Sequence, residues 1–317
     1  MRIGLLVYPD CLPAGLFGFS DLLMAANLRL GHQRFACHWL SERGGPLATA
    51  NGLSLATEPL AERPVDGVLV PGAWRDTSTA LSDKDEGVVD ALTHLPLETR
   101  LWSYCTGVCL AARTGRLDSQ PATTTWWLRG LVGHRFPAVN WKPHQTLVYR
   151  EACATASGVN GYLPLALALL EEQCGESLVA DIRRHMVLPR PEGRHTPLQD
   201  VPGLLHHGGW MRTLVQTIEG IPAGELDTAR LAAAMNTSAR TLQRRVLRES
   251  GYRCGELMRL VKLNQVGEQL ITTDNPLAVI GHVLGFPDEA SLRRSFRQVT
   301  GMTPGGYREH FARHPLW

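Results

Sequence analysis

A chain of 317 residues, 44% apolar and 20% charged, is too long for one small domain and apolar enough to bury two ordinary cores. Its formal charge of +2 is too small for binding driven by bulk charge, and no stretch is low in complexity. The charge is uneven, however: residues 221–317 hold 13 Lys and Arg against 9 Asp and Glu, the remainder 19 against 21, which predicts a basic module at the C-terminal end.

Residues 1–188 read as strands alternating with helices. Apolar strands are predicted at Ile3–Val7, Phe35–Leu40, Val65–Val70, Leu101–Tyr104 and Tyr149–Ala156, with helices at Leu16–Leu30, Leu81–His94, Thr106–Arg113 and Tyr162–Gln173. Continuous apolar strands between helices imply an α/β domain, a flavodoxin-like doubly wound parallel sheet covered on both faces. The first strand starts at once, with no basic leader before it, and the most apolar run, Tyr162–Leu170, is far below spanning length. Seven scattered cysteines, an odd number without C-x-x-C or zinc spacing, fit a reducing compartment. A cytoplasmic protein with no membrane contact is therefore expected. His206-His207 is a tempting metal pair, but neighbours on a helix point apart, and no metal site is expected there.

The sharpest feature of this region is Ser103-Tyr104-Cys105-Thr106-Gly107, a small reactive residue at a tight strand-to-helix turn. A helix N-terminus after Cys105 is expected to lower its thiol pKa and favour thiolate. Cys105 and Cys109, four apart, are placed on one helix and form a candidate redox pair. Ligands of open parallel sheets bind beyond the carboxyl ends of the strands. The loops there carry Gly72, Trp74, Cys105, Thr106, Thr125 and Trp126 as candidate ligand-binding residues, while Arg75 is expected at the surface. No glycine-rich phosphate loop is present, so no nucleotide or other cofactor is expected.

The elbow, with Leu101–Leu117, Thr123-Thr124-Thr125-Trp126-Trp127 and Ala156-Ser157-Gly158-Val159, resembles the DJ-1/PfpI branch of the class I glutamine amidotransferase-like superfamily. That resemblance spans almost all of residues 1–190 and implies a dimerising, ligand-sensing domain. Related enzymes need a partner acid after the first strand, a His before the Trp of the Thr-Thr-His-Trp motif, and an Asp opening the late helix. Gly15, Thr125 and Pro164 stand at those positions, so no catalysis is expected. A cysteine-dependent hydrolase, amidase or glyoxalase-like enzyme built on Cys105 is the alternative, in which Asp10 or Asp21 would supply the acid.

Beyond a linker at 189–204, rich in Pro, Gly, Arg and His, residues 205–317 contain one unit twice. Leu231 and Met235 recur as Ile280 and Leu284 at an offset of 49, and Leu242, Arg244, Val246, Gly251 and Gly255 as Leu292, Arg294, Phe296, Gly301 and Gly305 at 50. The extra residue falls in the turn between the two helices of the second copy. Ser238 and Asp288 are predicted N-caps of the second helices, Asn275-Pro276 caps the first helix of copy two, and Gly285 ends that helix. This is an all-α double helix-turn-helix domain. Arg240, Thr241, Gln243, Arg244 and Arg248 in copy one, and Ala290, Ser291, Arg293, Arg294 and Arg297 in copy two, are candidate DNA-binding residues, because Arg and Gln suit base edges and spare arginines suit phosphates.

Ser238-Ala-Arg-Thr-Leu-Gln-Arg-Arg, then Leu284-Gly-Phe, Arg294-Ser-Phe and Gly301-Met-Thr-Pro-Gly-Gly-Tyr-Arg, resemble the DNA-binding domain of AraC-type transcriptional regulators over Leu226–Phe311. Pro287 departs from the family, which has a small polar residue there. The resemblance implies two units joined by a long helix, expected at Glu256–Ile271, with their second helices in successive major grooves of double-stranded DNA. It further implies a homodimer, an amino-acid-like small-molecule effector, and activation of transcription with RNA polymerase as a partner.

Overall fold

A computed structural model of the chain describes all residues except 76–78, 143–144, 190–197, 199, 205–208 and 313–317. It divides into two compact units, Met1–Arg194 and His195–Trp317. The predicted linker falls largely outside the described residues, as does the pair His206-His207.

The first unit is built on β1 (Arg2–Leu6), β2 (Ala36–Ser41), β3 (Gly45–Ala48), β4 (Ser54–Pro59), β5 (Gly67–Val70), β6 (Arg100–Tyr104), β7 (Pro121–Ala122), β8 (Asn140–Trp141), β9 (Leu147–Tyr149) and β10 (Cys153–Ala156). Eight of these form one sheet in the order β3-β4-β2-β1-β5-β6-β10-β9, with β7 and β8 paired separately. All pairs from β4 to β10 are parallel, and only the edge strands β3 and β9 run antiparallel to their neighbours. The chain leaves β1 towards β2 and returns on the other side at β5, which places the topological switch between β1 and β5. Helices α1 (Ala14–Leu30), α5 (Tyr162–Cys174) and α6 (Glu176–His185) pack on one another, as do α2 (Glu86–Thr93) and α3 (Gly107–Arg113); α4 (Arg129–Arg135) follows the Thr123–Thr125 run. The doubly wound expectation is met. Two local readings are corrected. The run Tyr149–Ala156 is not one strand, because the chain turns at 150–152 and Leu147–Tyr149 comes back antiparallel to Cys153–Ala156. The helix expected from Leu81 begins only at Glu86, after a single turn of 3₁₀ helix at Asp83–Asp85 whose start is capped by Ser82.

The second unit is all helical: α7 (Asp200–Leu204), α8 (Gly209–Gly220), α9 (Thr228–Ala234), α10 (Ala239–Ser250), α11 (Cys254–Thr272), α12 (Leu277–Val283), α13 (Glu289–Thr300) and α14 (Pro304–Ala312). The sequence repeat is also a structural one: α9–α10 corresponds to α12–α13, and α11 and α14 start 50 residues apart. Ser238 and Asp288 cap their helices as predicted, accepting from the Thr241 and Ser291 N–H groups at 3.2 and 2.6 Å. Asn275 does not cap α12; Pro276 occupies the cap position, where no side-chain bond closes the helix.

Between helices the two copies solve one problem differently. Asn236 (φ 51) and Gly285 (φ 74) both take the left-handed conformation that ends α9 and α12. Asn tolerates it, but Gly285 could not be replaced, since a Cβ there would lie 2.6 Å from the Pro222 side chain. Gly251 and Gly301 end α10 and α13 in the same conformation. Beside them the Ser250 and Thr300 hydroxyls donate to the Val246 and Phe296 carbonyls and accept from the Tyr252 and Met302 N–H groups. Leu242, Val246, Leu292 and Phe296 are fully buried, so each second helix is anchored by an i, i+4 apolar pair. Lys262 of α11, also buried, caps the last turn of α8 by donating to the Glu219 carbonyl at 2.9 Å.

Candidate ligand pocket and nucleic-acid interface

The elbow forms where β6 runs into α3. Cys105 stands at φ 56, a strained conformation for a residue with a Cβ, and its N–H is held by the Ala156 carbonyl at 3.1 Å. Strain of this kind persists only where the surroundings fix it. Here α3 is pressed so close to the end of β5 that a Cβ on Gly107 would lie 2.3 Å from the Pro71 carbonyl oxygen. The loops after β1, β5 and β6 are joined across the switch point. The Leu12 N–H donates to the Gly72 carbonyl at 2.8 Å, Tyr8 Oη donates to the Pro71 carbonyl at 2.7 Å, and Thr106 Oγ1 accepts from the Ala73 N–H at 2.8 Å. Gly72, Cys105 and Thr106 therefore meet as expected: a Cβ on Gly72 would lie 3.0 Å from Cys105 Sγ.

The thiol is not activated in the way the sequence suggests. Burial pushes the Cys105 pKa up, and the Thr106 N–H and hydroxyl only partly oppose that. Desolvation exceeds the pull of the short α3. Nor do the two cysteines share a helix: Cys105 precedes α3, and Cys109 lies within it, fully buried, with its thiol pushed up to about 12. Gly15 faces the Tyr104 hydroxyl, which would lie 2.2 Å from a Cβ there. Pro164 is in the first turn of α5. Thr124 and Thr125 are buried with hydroxyls that have no hydrogen-bond partner among the described residues, as are Ser103 and Tyr104. Trp126 is half-buried, and Trp127 and Leu128 pack near Cys109. Trp74 is 75% exposed and so is no part of the core.

Arg75 is not a surface residue. Its side chain is 11% exposed and lies 3.2 Å from Asp85, itself 5% exposed, and 3.5 Å from Asp10. Burial pushes the Asp85 carboxyl up, against the pull of Arg75 and Arg113. Removing one partner of such a pair leaves a buried charge uncompensated, so Arg75→Ala is expected to cost about 3 kcal/mol of stability, read from the urea midpoint. Exchanging both residues for apolar ones of similar volume, Arg75→Met with Asp85→Leu, is expected to restore most of it.

In the second unit α10 and α13 carry the basic residues. Arg240, Thr241, Gln243, Arg244 and Arg248 are exposed on α10, and Ala290, Arg293, Arg294 and Arg297 on α13, with Ser291 half-buried beside its cap. Among the described residues Arg240, Arg244, Arg294 and Arg297 pair with no carboxylate, whereas Arg248 contacts Glu249 and Arg293 is held by Glu289 one turn earlier. Arg245 turns inward and stacks 4.0 Å over the Trp210 ring. The two helices thus present unequal surfaces, with Arg240 in copy one where copy two has Ala290.

A family model described as a helix-turn-helix domain matches residues 231–310. The chain is 23% identical to the HTH-type transcriptional regulator GlxA of Rhizobium meliloti, over 97% of this chain and 95% of the relative. It is 24% identical to the HTH-type transcriptional regulator GbdR of Pseudomonas aeruginosa, over 97% and 84%. Residues 231–310 thus carry a helix-turn-helix domain, and the chain is similar over almost its whole length to HTH-type transcriptional regulators. The fold of the first domain is shared with a Vibrio parahaemolyticus protein solved as a candidate transcriptional regulator, at a TM-score of 0.52 and 20% identity, covering 59% of this chain and 98% of that one.

A helix-turn-helix domain of the transcription-regulator kind implies DNA binding. Among the described residues no helix is long and apolar enough to cross a membrane. Sequence reasoning missed Asp85 and Tyr104. Asp85 lies in a polar stretch with no periodicity to mark it as buried, and Tyr104 was read as the end of a strand. The Gly at position 15, opposite an aromatic at 104, was the one available signal for the second.

Proposed function

We propose that this regulator binds specific promoter DNA through α10 and α13, and that a small molecule held in a non-catalytic DJ-1-like domain controls it. The observation that carries the DNA reading is the set of exposed arginines without carboxylate partners on two caps-in-register helices. Arg240, Gln243, Arg244 and Arg294 would read base edges, with Thr241, Arg248, Ala290, Ser291, Arg293 and Arg297 on phosphates and methyls. The three arginines placed on phosphates, Arg248, Arg293 and Arg297, would give a log-log salt slope of about −3. Fluorescence anisotropy of a labelled promoter duplex over a salt series measures it, and a flat dependence would contradict the reading.

Gly72, Trp74, Cys105, Thr106, Thr125 and Trp126 would contact the effector, for which the amino-acid-like class fits the buried hydroxyls of Thr124 and Thr125. Binding would shift the population between DNA-competent and incompetent arrangements. The functional assembly is a homodimer through the first domain, in the cytoplasm, acting as an activator that engages RNA polymerase.

The strained elbow favours a second reading, a Cys105-dependent enzyme. Against it stand the raised thiol pKa and the Tyr104 hydroxyl filling the space beside Gly15. Iodoacetamide is expected to label Cys105 more slowly than free cysteine at neutral pH, with the rate rising as pH is raised through the elevated pKa. Labelling faster than free cysteine near pH 7 would restore the enzyme reading.

A further inference from the structure

Leu247 is the one large apolar side chain that α10 turns to solvent, 52% exposed, while Leu242 and Val246 fill the core beneath the helix. A single exposed leucine is ordinary on a protein surface, and its place on the helix is what sets this one apart. It follows Gln243 and Arg244 by four and three residues and Arg240 by seven, so the four side chains share one face, with Gln243 and Arg244 flanking Leu247 one turn back. That is the face assigned above to DNA. The repeat supplies an internal control. Arg297 stands at the equivalent position of α13 and is also exposed, so the helix-turn-helix unit needs no apolar residue there for its packing. The two helices have exchanged chemistry end for end: Arg240 and Leu247 of copy one stand where copy two has Ala290 and Arg297.

We propose that Leu247 reads the C5 methyl group of a thymine in the major groove, and so fixes a T·A pair at one position of the half-site bound by α10. The inference rests on the DNA reading of α10 given above. That methyl is the one that the four bases present in the major groove, where every other feature of the code is a hydrogen-bond donor or acceptor. A leucine makes no hydrogen bond. Against a phosphate or a polar base edge it would strip water from groups that it cannot pair with, so its favourable partner on this face is an apolar one. Leucine is also short. Arg297 has the length to reach a phosphate at the rim of the groove, whereas Leu247 touches only what lies directly under the helix, the base edges. With a rise of about 1.5 Å per residue, Leu247 lies about 10 Å along α10 from Arg240, which places the thymine about three base pairs from the base that Arg240 reads.

Fluorescence anisotropy of the full chain on the promoter duplex it selects tests this, with each thymine exchanged in turn for deoxyuridine, which keeps the base pair and loses only the methyl. One exchange within the α10 half-site is expected to weaken binding about four-fold, the worth of one buried carbon. Leu247→Ala should bind the native duplex about ten-fold more weakly, and its unfolding temperature should be no lower, since the side chain is exposed and alanine suits a helix. In that variant the same deoxyuridine should cost nothing further, while the other thymines keep their wild-type effects. Leu247→Arg, which copies α13, should lose the methyl preference and steepen the log-log salt slope by about 1. Insensitivity to every deoxyuridine, or a sensitivity that Leu247→Ala leaves in full, would overturn the proposal. So would a loss of equal size on random duplex, or a sensitive thymine outside the half-site that Arg240 reads. A wild type that selects no fragment would sink the regulator reading and this one with it, while selection without methyl sensitivity would sink the role of Leu247 alone.

Discussion

Phe296→Ala is expected to cost about 3–5 kcal/mol, enough to leave the second helix-turn-helix unit largely unformed at physiological temperature. Phe296 is fully buried, sits among Leu263, Val266, Ile280 and Leu292, and meets Tyr307 edge-on at 5.1 Å. Truncation removes a whole ring from between α11, α12 and α14, and the flanking backbone has little room to collapse, because Thr300 and Gly301 fix the end of α13. Val246, its counterpart, has fewer atoms to lose, so Val246→Ala should cost less. Thermal unfolding followed by circular dichroism gives the ordering; equal losses at the two sites would mean that the repeats do not carry separate cores.

Arg240→Ala combined with Arg294→Ala is expected to reduce affinity for a specific promoter by about 2–6 kcal/mol, the sum of ~1–3 for each base contact. The two residues lie on different helices and share no partner among the described residues, so their effects should add. On random duplex the loss should be far smaller, since only phosphate attraction is affected. Arg293→Ala should cost less than either, because Glu289 already holds that guanidinium and an exposed pair is worth little. Parallel titrations on selected and random duplex separate these cases. Equal losses on both would assign Arg240 and Arg294 to phosphates.

The second unit was the more legible in sequence, for a physical reason. Caps, turn glycines and i, i+4 apolar pairs act within a few residues, so Ser238, Asp288, Gly285 and Leu292 could be placed from their neighbours alone. The sheet was legible where strands are buried on both faces, as at β1, β5 and β6. It was not at β3 and β4, where Gly45–Ala48 and Ser54–Pro59 form a short, half-exposed hairpin at the sheet edge around an Asn51-Gly52 turn. At the elbow the turn itself was legible but its electrostatics were not. A helix N-terminus predicts a lowered thiol pKa, and burial by segments distant in sequence reverses it. The Arg75–Asp85 pair was missed for the same reason, because desolvation is a property of the folded surroundings.

The central claim, that this chain selects promoter DNA, is tested most directly by binding the purified protein to fragmented genomic DNA at two salt concentrations. Enrichment of a few promoter fragments that persists at the higher salt is the predicted result. Uniform retention of fragments that disappears as salt is raised would contradict it, leaving charge attraction alone and moving the Cys105 enzyme reading to the front.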